Sequence, residues 1–574
     1  MLLMLFTAFI ILWMIQHWLS IRKHLNLPSP GICLPVFGHF HLLLNGSAKE
    51  DPVGFLSRLW KTHQKGGVLW FRRFAADILL VGDLKVAKQL FNHPAMQGRS
   101  TCNSALKKWL LENRGTVGKQ VHGVLFSDGP IWAEQRRFTL RTLRDFGFGK
   151  AKMEELINEE VEAFTEALKS YRGEPVDIAG KFNLPILNSL WRITVGQRFD
   201  YDDPKLRRIL ANLTEFFQRI GNPKQLIELS FPRMSKLLEW IAPNVLERGK
   251  TIAINREIMA LMCSTVRDHE KTIDVNEPRD FTDSALLEIL RTTDPSSSFY
   301  ADSGRINLAN TLVDLFIAGN FSCHLSLDCQ AFLGSETTST TLTWGLLYMA
   351  RYSEVQERMQ EEMDRVIGRA RRPQLSDRNE LPFTCAVLLE VQRYANILPV
   401  GVPHVSDVDF TLGDLTIPTG TRVGLLMSEL LKGDHWGDGE NFRPDRFLDE
   451  EGKSKTDEWL VPFSIGRNDN TLKPEAEADV ESFNLCIKRS KAVSRGESCQ
   501  GRAVSFLHRD SPAVCGEARG GGAASFGGES SPLTPIMIGI SFVAGLLQRG
   551  HSSTKTFQTQ TDKQGMISPR CRRC

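Results

Sequence analysis

This chain has almost no excess charge: across 574 residues, 70 lysines and arginines face 67 aspartates and glutamates, a formal net charge of +3. That balance argues against nucleic acid as a main partner, while local basic faces remain open. Paired cysteines are scarce too. The eleven cysteines are odd in number, and only Cys571 and Cys574 stand in C-x-x-C spacing. A disulfide framework or a structural zinc site is thereby disfavoured, and a reducing compartment fits best. The tail segment IMIGISFVAGLL is apolar but shorter than the roughly 20 residues that cross a bilayer. Length alone does not force two domains, because α-rich units with one large core reach this size.

What is present begins with the N-terminus. Residues 1–15, MLLMLFTAFIILWMI, are nearly all apolar, and Trp18, Leu19 and Ile21 carry the run to Arg22 and Lys23. Positive charge after the apolar stretch, with no small-residue cleavage site, predicts a retained transmembrane anchor over residues 1–21 with the body in the cytosol. Residues 22–40 follow as a stiff hinge, since Pro28, Pro30, Gly31, Pro35 and Gly38 cannot continue a helix.

The body, residues 41–467, reads as mainly α with a small β region. KLRRILANLTEFFQRIG and NREIMALMCSTVRDHEK place apolar residues three and four apart, the helical period, whereas VLWFRRFAADILLVGD reads as two short strands. In GPIWAEQRRFTLRTLRDFGFGK, Pro130 starts a helix that carries Trp132 and Arg136 on one face and Arg137, Arg141 and Arg144 on another. The first face can grip an anion and the second can meet an acidic partner; a solvated basic helix with a core tryptophan is the plainer alternative.

Two further motifs carry chemistry. In GSETTSTTLTWGLLYMARY, Glu336 and Thr337 offer a proton path into an apolar cavity, although threonines in helices commonly bond backbone carbonyls instead. Upstream, DLFIAG is separated from SETT by fifteen poorly helical residues, 320–334. If helical, these would move the flanking halves about 22 Å apart and turn them about 60° out of register, so either they loop out or the site is broken. Farther on, Glu390 and Arg393 share a face of an apolar helix, and a buried pair of this kind needs a third partner, for which Arg446 in FRPDRF is the natural one. A surface ion pair is the simpler reading of E-x-x-R alone.

Taken in order, the Pro-rich hinge, WAEQRRF, SETT, EVQR, GVPH, FRPDRF and PFSIGR resemble microsomal cytochromes P450 across residues 1–467. Phrases such as NSLWRITVGQRFDYDDPKL resemble the animal family-2 clan, especially its arthropod members. The resemblance implies a mostly helical prism and a haem-thiolate monooxygenase that inserts one oxygen atom into a lipophilic substrate: a steroid, terpenoid, fatty acid or xenobiotic. It implies haem b held at its propionates by Trp132, Arg136 and His404, proton relay by Glu336 and Thr337, and a structural triad of Glu390, Arg393 and Arg446. It further implies an endoplasmic-reticulum membrane protein, in contact with membrane lipid, whose electrons come from NADPH through a flavoprotein reductase.

The fold so implied is incomplete at its C-terminal end. In F-S-x-G-[KR]-R-x-C-x-G, Phe463, Ser464, Gly466 and Arg467 are in place, but Asn468 stands for an arginine and Asn470 for the ligand cysteine. Residues 468–574 are Gly/Ser-rich with scattered charge, a composition expected of disorder. Cys499 and Gly501 mimic C-x-G, yet Ala492, Arg495 and Glu497 occupy the places of Phe, Gly and Arg. An abrupt match followed by unrelated sequence points to translation through an intron or out of frame, and the insertion invites the same reading. The alternative to the enzyme is therefore a catalytically inactive, membrane-anchored remnant or a faulty gene model, with no metal ligand.

Overall fold

The apolar run at the N-terminus forms helix α1, Leu2–Ile21, in the computed structural model of the chain. Backbone is described for residues 2–465 apart from 45–50, 75, 97, 100–109, 112–113, 115–119, 148–150, 172–175, 179, 220–231, 243–244, 246–247, 319–335, 402 and 463. The insertion at 320–334, Asn470 and the tail 468–574 lie outside the described residues. Among the described residues no helix is long and apolar enough to cross a membrane.

After the hinge, α2 (Pro52–His63) starts where Asp51 accepts the Gly54 N–H and Pro52 occupies the first turn. VLWFRR and ADILLV then form the two expected short strands, β1 (Val68–Arg73) and β2 (Ala76–Val81), which pair antiparallel. Asp83 caps α3, Leu84–Asn92. Short strands β3 (Gly98–Arg99), β4 (His404–Val405) and β7 (Arg422–Leu425) complete a sheet of order β1-β2-β7-β4-β3, with β2 parallel to β7. A hairpin, β5 (Phe410–Leu412) and β6 (Leu415–Ile417), lies between β4 and β7 in the chain.

The remaining body is helical: α4 (Gly129–Asp145), α5 (Ala151–Lys169), α6 (Asn183–Thr194), α7 (Pro204–Arg219), α8 (Pro232–Ile241), α9 (Arg248–Thr272) and α10 (Phe281–Arg291) precede α11 (Ala301–Ala318). Helix α12 (Glu336–Arg351) takes up the chain after the insertion, followed by α13 (Ser353–Val366), α14 (Pro382–Ala395) and α15 (Met427–Lys432). One apolar cluster surrounds α11, where Leu312, Val313 and Phe316 meet Trp191 of α6 and Phe138 of α4. A second surrounds α14, against Leu342 and Leu346 of α12, Met359 and Met363 of α13 and Phe164 of α5. Every residue of α14 from Phe383 to Arg393 is buried, so this helix meets protein on all sides. Its first turn would leave orphan N–H groups in that interior. Glu362 of α13 meets this need, accepting from Phe383 N at 2.9 Å and Thr384 N at 2.7 Å.

Candidate functional site

The charged pair on α14 is fully enclosed. Arg393 holds Glu390 in a bidentate grip, Nε to Oε2 at 2.7 Å and Nη2 to Oε1 at 2.8 Å, with both side chains 0 % exposed. Arg446 adds its Nε to Glu390 at 3.2 Å, and the Arg443 backbone N–H donates to the same carboxylate at 2.7 Å. Arg393 spends its other N–H groups on the carbonyls of Leu431, Gly439 and Asn441, at 2.8, 2.7 and 2.9 Å. Every charge thus has hydrogen-bonded partners, which is what makes its burial tolerable. The arrangement brings together the three residues expected from the sequence and pins the end of α15 and the segment after it, through 446, to α14.

Trp132 and Arg136 share a face of α4, the guanidinium lying 5.3 Å from the indole centroid. The indole Nε1 donates to the Val124 carbonyl at 3.2 Å, which fastens α4 to the preceding loop. Arg137 and Arg141 are exposed and Arg144 is half-buried. His404 sits on a different element, β4, with Nδ1 2.9 Å from the Met96 carbonyl and its ring edge-on to Phe91. Glu336 and Thr337 open α12, and their side chains lie outside the described residues.

The sequence reading missed the strongest polar junction of α11. Asp314, which opens DLFIAG between the apolar Val313 and Leu315, pairs with Arg114 at 2.7 Å, with side chains only 2 % and 5 % exposed. Its second oxygen accepts from Val124 N at 2.8 Å and Leu125 N at 2.9 Å. Asn310 and Asn307, on the same helix, bond the Arg114 carbonyl and Gly123 N. One helix therefore holds the loop that also receives the Trp132 indole. The available signal was an aspartate flanked by apolar residues, since a charge in a core must find a partner.

A family model described as Cytochrome P450 matches residues 28–468. The chain belongs to the cytochrome P450 family. Among named relatives, this P450 is similar to farnesoate epoxidase of Bombyx mori, 28% identical over 499 residues that cover 84% of this chain and 93% of the relative. It is 33% identical to Cytochrome P450 2J3 of Rattus norvegicus over 79% of this chain and 83% of that one. With Cytochrome P450 2J2 of Homo sapiens it shares 39% identity over 60% of this chain, spanning 64% of the human protein.

Haem is the cofactor expected of a P450. Trp132, Arg136 and His404 are of the right chemical kind for its carboxylate edge, although the indole N–H and one imidazole nitrogen face backbone carbonyls of this chain. At the iron the donor set does not fit: the position expected of the cysteine holds Asn470, and a neutral carboxamide supplies no thiolate. A second cluster, His269, Asp280 and Asp283, has ligand atoms within 4.8 Å of one another. It is satisfied internally. His269 meets Asp280 at 3.0 Å and the Thr265 carbonyl at 2.8 Å, while Arg279 clasps Asp283 at 2.6 and 2.9 Å.

Proposed function

We propose that the body of this chain is that of a haem-thiolate monooxygenase for lipophilic small molecules, and that the 574-residue form is catalytically inactive because it lacks the thiolate. Family membership over residues 28–468 supports the first half. One observation carries the second: Asn470 in the place of the ligand. A thiolate both holds the iron and donates the electron density that favours O–O cleavage, so its loss removes the reaction rather than slowing it. In the complete form, Trp132, Arg136 and His404 hold the propionates, Glu336 and Thr337 relay protons, and Glu390, Arg393 and Arg446 keep the loop behind the haem in position. Electrons come from NADPH through a flavoprotein reductase that docks on the basic face of α4.

The substrate class is apolar: a steroid, terpenoid, fatty acid or xenobiotic. The name of the silkworm relative, farnesoate epoxidase, favours including terpenoid acids among the compounds to be tested. Residues 1–21 anchor the chain in the endoplasmic reticulum membrane with the body, residues 41–467, on the cytosolic face. The apolar run ahead of Arg22 and Lys23 supports this, as do Trp240, Ile241 and Leu237, which are 80 %, 64 % and 53 % exposed on α8. The tail from 468 and the insertion at 320–334 are additions to the enzyme body.

The decisive measurement is the spectrum of the reduced protein under carbon monoxide. The 574-residue chain lacks the red-shifted band of a thiolate-ligated haem. Deleting 320–334 and supplying a C-x-G loop with its following helix after Arg467 restores it. A thiolate-type band from the unaltered chain would overturn the inactive reading and point to Cys499.

A further inference from the structure

The C-terminal end of α1 is seated on the sheet. Arg72 Nη1 donates to the Ser20 carbonyl at 3.2 Å, and His17 Nε2 lies 3.2 Å from the Cys33 carbonyl. A guanidinium at this point meets the orphan carbonyls and the negative end of the helix dipole. Just beyond, Ile21 and Leu27 are buried with Trp70, Leu79 and Val423 in the apolar layer on one side of the sheet. His24 is only 5 % exposed; it stacks on Trp70 with centroids 5.4 Å apart and planes 11° from parallel. Its Nε2 is 3.1 Å from Thr421 Oγ1.

These contacts converge on one carboxylate. Asp77 lies 3.5 Å from Arg72 Nη1 and 3.9 Å from His24 Nε2, and accepts the Trp70 indole N–H at 3.1 Å. Arg72 and Asp77 are direct cross-strand partners in the β1 and β2 register, so the seat is built on paired strands and not on a loop. The hinge closes over it: Trp70 N donates to the Pro28 carbonyl at 2.7 Å, and the Arg72 backbone N–H donates to His39 Nδ1 at 2.9 Å. Lys23 and Asp409 add an exposed pair at 3.3 Å on the outside.

We propose that α1 is a fixed strut, seated on the β1 and β2 ribbon by the Asp77 cluster, so that the fold sets the direction in which the N-terminal helix leaves the body. The Pro-rich segment then acts as a clasp over the seat. Whatever surrounds α1, the body presents one constant face towards it. This holds whether or not α1 crosses a membrane, so its test is independent of the anchor assignment.

The test is a pulsed-EPR distance between nitroxide amino acids placed at Leu12, exposed on α1, and Asp414, exposed in the turn of the β5 and β6 hairpin. It is measured on the full chain in detergent micelles, without using its native cysteines. A control with residues 17–24 replaced by glycine and serine defines the unseated distribution. The parent chain gives one narrow distance, and D77N broadens it towards the control. H24A, which leaves the Arg72 and Asp77 pair intact, also broadens it and decides the matter should D77N fail to fold. A parent distribution as broad as the control, or narrow distributions in both variants, would overturn the proposal.

Discussion

Asp314 joins two distant parts of the chain through one buried carboxylate. It ties Arg114, 200 positions away, to α11 and also receives two backbone N–H groups of the loop 124–125. Gly123 stands against it at φ +93°, where an added Cβ would come 2.4 Å from the carboxylate; only glycine allows that approach. Asp314→Asn keeps an acceptor for the loop but leaves the buried guanidinium of Arg114 without its counter-charge. The expected loss is about 3–5 kcal/mol of unfolding free energy, read from urea unfolding followed by circular dichroism. A loss below about 1 kcal/mol would mean that the pair behaves as a solvated one. Glu390 differs in legibility. Its partner Arg393 is three residues along the same helix, so the need for pairing was visible locally, whereas nothing near Asp314 in the chain announces Arg114.

Between elements, the junction of α9 with α10 makes stability depend on pH. Asp280 caps α10 by accepting from Asp283 N at 2.9 Å, and its other oxygen faces His269 of α9. Burial pushes His269 down, but the Asp280 hydrogen bond and charge, with the Thr265 carbonyl, outweigh it and hold the imidazolium above its ordinary value of 6.5. Both ring nitrogens face acceptors, as a doubly protonated ring requires. A raised folded pKa means that this stabilisation is fully present below 6.5 and is lost as pH climbs through the raised value. The buried His24 and His39 act oppositely, His39 being pushed down to about 4 chiefly by burial, so they cost stability on acidification. The informative quantity is therefore the difference in melting temperature between the parent chain and His269→Gln. It is largest near about pH 6 and shrinks towards about pH 9; a constant gap would refute the charged assignment.

For the whole molecule, the proposed membrane anchor and the proposed reductase contact each carry a test. Asn45, Asn212 and Asn320 all stand in N-x-S/T sequons. Of these, Asn212 donates its amide to Glu257 at 2.8 Å, while Asn45 and Asn320 lie outside the described residues. A body on the cytosolic face carries no glycan at any of them, and an endoglycosidase-sensitive mass shift in cells would place it in the lumen. Arg137 and Arg141 present exposed charge beside Leu140, which is 44 % exposed, and such rim charges act mainly on association rate. In a chain repaired at the insertion and the C-terminus, reversing both arginines slows reduction more at low salt than at high salt. Equal rates at both ionic strengths would exclude this face.

The strands β1 and β2, the helices around LTEFF and NREIM and the start of α4 at Pro130 were legible because apolar period, proline and capping chemistry act within about four residues along the chain. The place of Asn470 rests instead on the family's motif and lies outside the described residues. The pairing of Arg114 with Asp314, the convergence of Arg72, His24 and Trp70 on Asp77, and the Glu362 cap on α14 became visible only with the fold. Each joins residues through topology rather than spacing. A buried charge dictates that a partner must exist, but which distant residue supplies it depends on how helices and strands pack, a relation that local sequence does not encode.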